Sequence, residues 1–133
     1  MKDQKNLIKA ALAVPVTIGK VSVVGLVIDR QGYEAVTFAS VIGAGAYSTE
    51  EKVAPVLFDS DDGTSYVVVP AHKYLGSLDA VSIVIESDEI RTIGYIGDRR
   101  YVRLDFEVTG TLAADVILSA LAILGHPFQA PAP

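Results

Sequence analysis

The sequence has no cysteine and no tryptophan, and only one methionine and two histidines in 133 residues. Without cysteine there is neither a disulfide scaffold nor a cysteine-ligated metal site. Basic residues are scarce: 11 Lys and Arg stand against 16 Asp and Glu, a formal net charge of −5. The isoelectric point near 4.8 argues against nucleic acid as a partner, because neutralising phosphates needs a basic excess. Long hydrophobic runs are missing too. The longest apolar stretch, residues 116–124, is interrupted by Ser119 and bounded by Asp115 and Gly125, far short of the ~20 residues of a membrane-spanning helix. No membrane partner is expected. What is present is a 50% hydrophobic content and a mean hydropathy of +0.40, spread over many short segments. That composition excludes disorder, and the length suits one domain with its own core.

Charge is unevenly placed. Residues 1–20 hold Lys2, Lys5, Lys9 and Lys20 against Asp3 alone, net +3, which leaves −8 for residues 21–133. The first twenty residues therefore read as a basic arm. Lys2, Lys5 and Lys9 ahead of residues 10–14 resemble the charged and apolar parts of a signal peptide, but Lys9 and Pro15 leave the apolar part only a handful of residues, so a retained N-terminus is expected. Leu7, Ile8, Ala11 and Leu12 have helical spacing, and Pro15 ends any helix early. A helix that short orders only on a partner surface, so removing residues 1–20 should leave the remainder folded. Residues 127–133 carry three of the six prolines and read as an extended tail.

Between arm and tail, residues 21–126, the pattern has a period of two or consists of short β-branched runs cut by turn residues. In residues 101–108, Val102, Leu104, Phe106 and Val108 alternate with Tyr101, Arg103, Asp105 and Glu107, the pattern of a half-buried strand. Residues 21–28 and 35–42 flank a turn at Asp29-Arg30-Gln31-Gly32 and are expected to pair as neighbours. Residues 54–58 and 66–69 flank Asp61-Asp62-Gly63-Thr64, where Asp-Gly favours a type I′ hairpin with positive φ at both central residues. Residues 81–85, 90–96 and 115–124 bring the set to about eight strands, the spacing of a sandwich or barrel. Residues 112–124 also have helical propensity and hydrophobes almost all round. The reading favoured is a strand buried on both faces, after a turn at Thr109-Gly110-Thr111. A single helical turn is expected over residues 72–75. The fold class expected is an all-β, single-domain antiparallel sandwich of jelly-roll type.

The residues that carry chemistry are few. Asp59, Asp61 and Asp62 beside Gly63 offer oxygen ligands for a hard cation, but without EF-hand spacing a solvated acidic hairpin tip accounts for them, and no metal is expected. His72 and His126 lie in no nucleophile motif, and neither Gly94-Tyr95-Ile96-Gly97 nor Gly43-Ala44-Gly45 has the spacing of a phosphate cradle. Catalytic residues, cofactors and an enzymatic activity are therefore not expected. Arg99, Arg100 and Arg103 form a local basic cluster, with Tyr95, Tyr101 and Arg103 expected on one wet face. They are interface candidates of the composition enriched at protein contacts, or else partners of Asp98, Asp105 and Glu107 within the sheet. Lys2, Lys5, Lys9, Arg99, Arg100, Tyr101 and Arg103 make up the candidate interface set.

Three segments also resemble a widespread family of small proteins in the structural gene clusters of tailed bacteriophages and prophages. They are Val27-Ile28-Asp29-Arg30-Gln31-Gly32-Tyr33-Glu34-Ala35-Val36-Thr37-Phe38, then Leu57-Phe58-Asp59-Ser60-Asp61-Asp62-Gly63-Thr64-Ser65-Tyr66, then Ile93-Gly94-Tyr95-Ile96-Gly97-Asp98-Arg99-Arg100-Tyr101-Val102-Arg103-Leu104, and Leu124-Gly125-His126-Pro127 ends the match. The likeness spans roughly residues 21–127 and consists of sheet and turn residues. It implies a virion location after synthesis in the host cytoplasm.

An acidic, cysteine-free sandwich with a basic arm and a proline tail has the parts for adding to a large preassembled surface. The function expected is that of a capsid decoration or cement protein bridging major capsid proteins or other virion proteins on the phage head, as a homo-oligomer. A head–tail connector or tail component is the alternative within the virion. A carbohydrate-binding sandwich is the alternative outside that class, with Tyr33, Tyr47, Tyr66, Tyr74 and Tyr95 as candidate sugar-facing aromatics.

Overall fold

The computed structural model describes residues 5–127, and nearly all regular structure among them is strand. In chain order the strands are β1 (Ile8–Gly19), β2 (Ile28–Asp29), β3 (Tyr33–Ile42), β4 (Gly45–Ala46), β5 (Lys52–Ser60), β6 (Val67–Val68), β7 (Tyr74–Leu75), β8 (Val84–Ile85), β9 (Glu89–Tyr95), β10 (Tyr101–Thr109) and β11 (Val116–Pro127). Two short 3-10 turns, Lys5–Leu7 and Ala71–Lys73, precede β1 and β7.

Two antiparallel sheets face each other, one ordered β1-β11-β3-β9-β7 and the other β2-β10-β5-β6; β4 and β8 form a small third sheet. Among the eight strands that build the sandwich, first pairs with last (β1·β11), second with seventh (β2·β10), third with sixth (β3·β9) and fourth with fifth (β5·β6). This nesting is a long antiparallel ladder rolled over on itself, a jelly roll. The fold class is the one expected, and the strand number exceeds it through β4, β7 and β8.

Period-two burial explains the layers. Val36, Phe38 and Ile42 of β3 and Ile93 of β9 point inward from one sheet; Val53 and Leu57 of β5 and Val102, Leu104 and Phe106 of β10 meet them from the other, all 0–1% exposed. These side chains form one continuous core, about 1.5–3 kcal/mol each by area burial.

Several expectations are corrected. Residues 8–19 of the supposed arm are strand β1, paired with β11, with Ala13 and Val14 in the core. Pro15 does not end a helix; it sits where the register slips between Val14 and Thr17, a bulge on an edge strand, where the missing N–H breaks no ladder bond. Residues 21–28 do not pair with 35–42. The turn at residues 29–32, with Gly32 at φ 94°, carries the chain from one sheet to the other, and residues 22–27 run between them. Val23 bridges Phe106 and the Leu26 N–H donates to the Ala13 carbonyl at 2.7 Å. Of residues 81–85 only Val84–Ile85 is strand, with a lone bridge from Val81 to Val53. Residues 116–127 are strand, since pairing to β1 and β3 on both sides overrides the helical propensity of their Ala and Leu residues. The extended tail lies outside the described residues, apart from Pro127, the last residue of β11.

Candidate interaction surfaces

The loops at one end of the sandwich gather most of the arginines. Arg30 lies in the β2–β3 turn, residues 61–66 link β5 to β6, and residues 96–100 link β9 to β10. Asp59, 2% exposed at the end of β5, accepts a 2.8 Å hydrogen bond from the Tyr95 hydroxyl. The Arg99 N–H donates to that same hydroxyl at 3.1 Å, and its guanidinium reaches Asp59 at 3.7 Å and Asp61 at 3.8 Å. Burial, with the neighbouring Asp59 carboxylate, pushes the Tyr95 hydroxyl up to about 12. Arg30 donates to the carbonyls of Arg99, Tyr33 and Glu34 and lies over the Tyr95 ring, 5.8 Å from its centre. Arg100 grips Asp29 with two hydrogen bonds of 2.9 and 2.8 Å, and this pairing lowers the Asp29 pKa.

The β5–β6 hairpin forms as expected, but not through a two-residue turn. Gly63 alone takes positive φ, 76°, and the loop is organised by side chains. One oxygen of Asp62 accepts from the N–H groups of Thr64 and Ser65 at 2.8 and 2.9 Å and from the Ser60 hydroxyl at 2.9 Å. These hydrogen bonds bring the Asp62 carboxyl down to about 2. Asp59, Asp61 and Asp62 thus face a tyrosine, an arginine and backbone amides respectively, and among the described residues no three His, Asp or Glu side chains are grouped for a metal ion.

Of the candidate interface set, the fold brings Arg99 and Arg100 into this end cluster, with Lys9 close enough to Asp29 to help lower its pKa. Tyr101 and Arg103 lie instead on the wet face of the four-stranded sheet. Tyr101 carries the Arg100 guanidinium over its ring at 4.9 Å. Arg103 is held twice by Asp105, at 2.9 and 3.0 Å, and lies 4.8 Å from the ring centres of both Phe58 and Tyr66. Tyr95 is not on that face, being an inward residue of the other sheet. Lys5 is exposed on the first 3-10 turn, and Lys2 lies outside the described residues. The arginines are spoken for within the chain. Depressions of about 230 and 420 Å³ flank Arg30, with Asp98 lining both. His72 and His126 are exposed at separate places.

The five-stranded sheet presents a surface of another kind. On β11 the inward Val116, Leu118, Ala120, Ala122 and Leu124 are buried, while the outward Ile117 and Leu121 are 41% and 48% exposed. Contrary to the two-sided burial expected from sequence, only one face of this strand is covered. The outward positions of its neighbours follow from the register: Ile8, Ala10, Leu12 and Ile18 on β1, Ala35, Thr37, Ala39 and Val41 on β3, Ile90, Thr92 and Gly94 on β9, Leu75 on β7. None of these is charged. The acids and bases of the same strands, Lys9, Glu34, Glu89 and Arg91, are not among these outward positions and lie near the strand ends.

No family model and no curated protein sequence matches the chain. Among solved structures, the CBM22-1–GH10 modules of Clostridium thermocellum endo-1,4-beta-D-xylanase 10B, complexed with xylohexaose, are similar over 97% of this chain at 10% identity and a TM-score of 0.44. The chain spans 28% of the length of that protein. Of the tyrosines weighed for sugar contact, Tyr33, Tyr47 and Tyr95 are only 2–3% exposed. Tyr47 spends its hydroxyl on the Gly43 carbonyl at 2.6 Å, and Tyr66 packs on Arg103.

The uncharged sheet face was missed by sequence reading, which gave its weight to the arginines. The signal for it was the run of β11, apolar on both alternations. An exposed sheet face ordinarily alternates to polar residues, so a strand apolar on both sides needs cover on both.

Proposed function

We propose that this chain is a non-catalytic structural component of a tailed-phage particle, a decoration or cement protein of the head, working through protein–protein contact. The observation that carries the reading is the outward face of the five-stranded sheet, uncharged and mostly apolar across four long strands, with the polar side chains of Ser119, Thr37 and Thr92 on it. Covering apolar area is worth about 25 cal/mol per Å² before the cost of association, so a few hundred Å² gives a contact useful for holding an assembly together. The resemblance of the turn and strand segments to phage structural proteins supplies the setting. The loop end, with its arginines paired to Asp29, Asp59 and Asp61, contributes stiffness, so the sandwich behaves as a rigid part.

Quantitative mass spectrometry of purified particles from a phage or induced prophage encoding this chain tests the reading. Hundreds of copies per particle are expected. A few to a dozen copies would replace decoration by a connector or tail ring, and absence from particles would overturn the virion assignment.

A further inference from the structure

We infer that the outward face of the five-stranded sheet is a homodimer interface, closed by a second copy of this chain packed face to face. The inference rests on the reading of this face as a protein contact and names its occupant. Three observations favour a second copy.

The first is area. Strands β1, β11, β3, β9 and β7 are 12, 12, 10, 7 and 2 residues long; at about 3.3 Å per residue and about 4.8 Å between strands they make a face of roughly 700 Å² before side-chain relief is counted, close to the roughly 800 Å² per partner of a standard stable interface. The second is charge. Two chains of net charge −5 repel at a distance, but their outward sheet positions bring no like charges together, so self-association costs no buried charge at the contact.

The third is relief. Along β11 the large Leu121 and Ile123 make a ridge, and beside them β3 has the smaller Ala39 and Thr37 at the same heights, through the pairings Leu121↔Ala39 and Ile123↔Thr37. A two-fold axis lying between the faces, along the strands and over the gap between β11 and β3, sets each ridge on the partner's trough. Leu121 then meets Ala39 of the other copy and Ile123 meets Thr37, an isologous contact with aligned sheet packing. The edge is a poorer route to a dimer: β1 carries Pro15 and two register shifts, features that blunt an edge strand against pairing with another chain.

Sedimentation equilibrium of the full chain, with circular dichroism to check folding, tests this directly. The wild type is expected at twice its 14.1 kDa, unchanged when salt is raised, because the contact is apolar. Leu121→Lys and Ala39→Glu each place an unpaired charge in the interface and should each weaken the dimer by about 10–100-fold or more. Mixed together the two variants should form a heterodimer, since the ammonium introduced on β11 of one copy then faces the carboxylate introduced on β3 of the other.

A wild type that stays monomeric at about 100 µM, a concentration far above the Kd of a stable dimer, overturns the inference. So does a dimer that survives either substitution, or a mixture that fails to associate. A monomer that binds particles until Leu121→Lys abolishes it would give the face to a different virion protein. That outcome overturns the dimer and leaves the structural role standing. A dimer absent from particles does the reverse.

Discussion

Tyr95 joins core and loop end: its ring is an inward residue of β9, and its hydroxyl ties buried Asp59 to the Arg99 backbone. Tyr95→Phe keeps the ring and removes the donor, leaving a buried carboxylate oxygen short of a partner. Destabilisation of about 1–3 kcal/mol is expected in thermal or denaturant unfolding; an unchanged midpoint would deny the hydroxyl its role. The same group sets an alkaline limit. Its folded pKa, about 12, lies above the ordinary 10.0, so its contribution is whole below pH 10 and is lost as pH rises through 12. Asp62, about 2 against 3.8, and Asp29, also lowered by its hydrogen bonds to Arg100, have the opposite sign. Their contributions are whole above the unfolded value near 4 and fade as pH falls below it, that of Asp62 toward about 2. Unfolding free energy measured against pH should therefore show a plateau with a decline on either side, and Tyr95→Phe should flatten the alkaline decline. Gly25 is fixed by space: a Cβ there would lie 1.9 Å from the Leu104 carbonyl oxygen, and the Gly25 N–H donates to Asp105. Gly25→Ala must push residues 22–27 off β10, with a loss of more than about 1 kcal/mol.

At the scale of elements, β1 changes what a truncation should do. Removing residues 1–20 takes away a strand paired to β11 along its length and two core side chains, Ala13 and Val14. The shortened chain is expected to aggregate or unfold at lower temperature, because it exposes the β11 edge; a soluble product with the parent melting temperature would contradict this. Strands β3, β5 and β10 were legible in the sequence: large apolar residues alternate with polar or small ones in β10 and along most of β3, and β5 is a short apolar run ending at a turn signal. β1 was not, because Pro15 and the clustered lysines mimic a terminal arm, and only the bulge, a tertiary feature, reconciles proline with a strand. The crossing of residues 29–32 between sheets was equally hidden: a turn signal tells where the chain reverses, not which sheet receives it. The Asp61–Gly63 hairpin was legible, but its wider loop depends on the Asp62 and Ser60 side chains.

For the whole molecule, the sequence led toward arginines as contact residues, and the fold pairs them internally. Arg103 with Asp105 is the intrachain alternative realised, while Arg100 pairs with Asp29, a partner outside that expectation. The apolar sheet face takes their place, and its signal was already present in β11, whose two apolar alternations called for two covered faces. One is covered by the core, and the other is the face proposed to meet a second copy. The central claim is that this chain is a structural part of a phage head whose sheet face is buried in assembly. A cryo-electron-microscopy map of the particle tests it most directly. The account predicts many copies on the head, with protein density against Leu121 and Ala39. Particles without the chain, or copies whose sheet face is open to solvent, would contradict it.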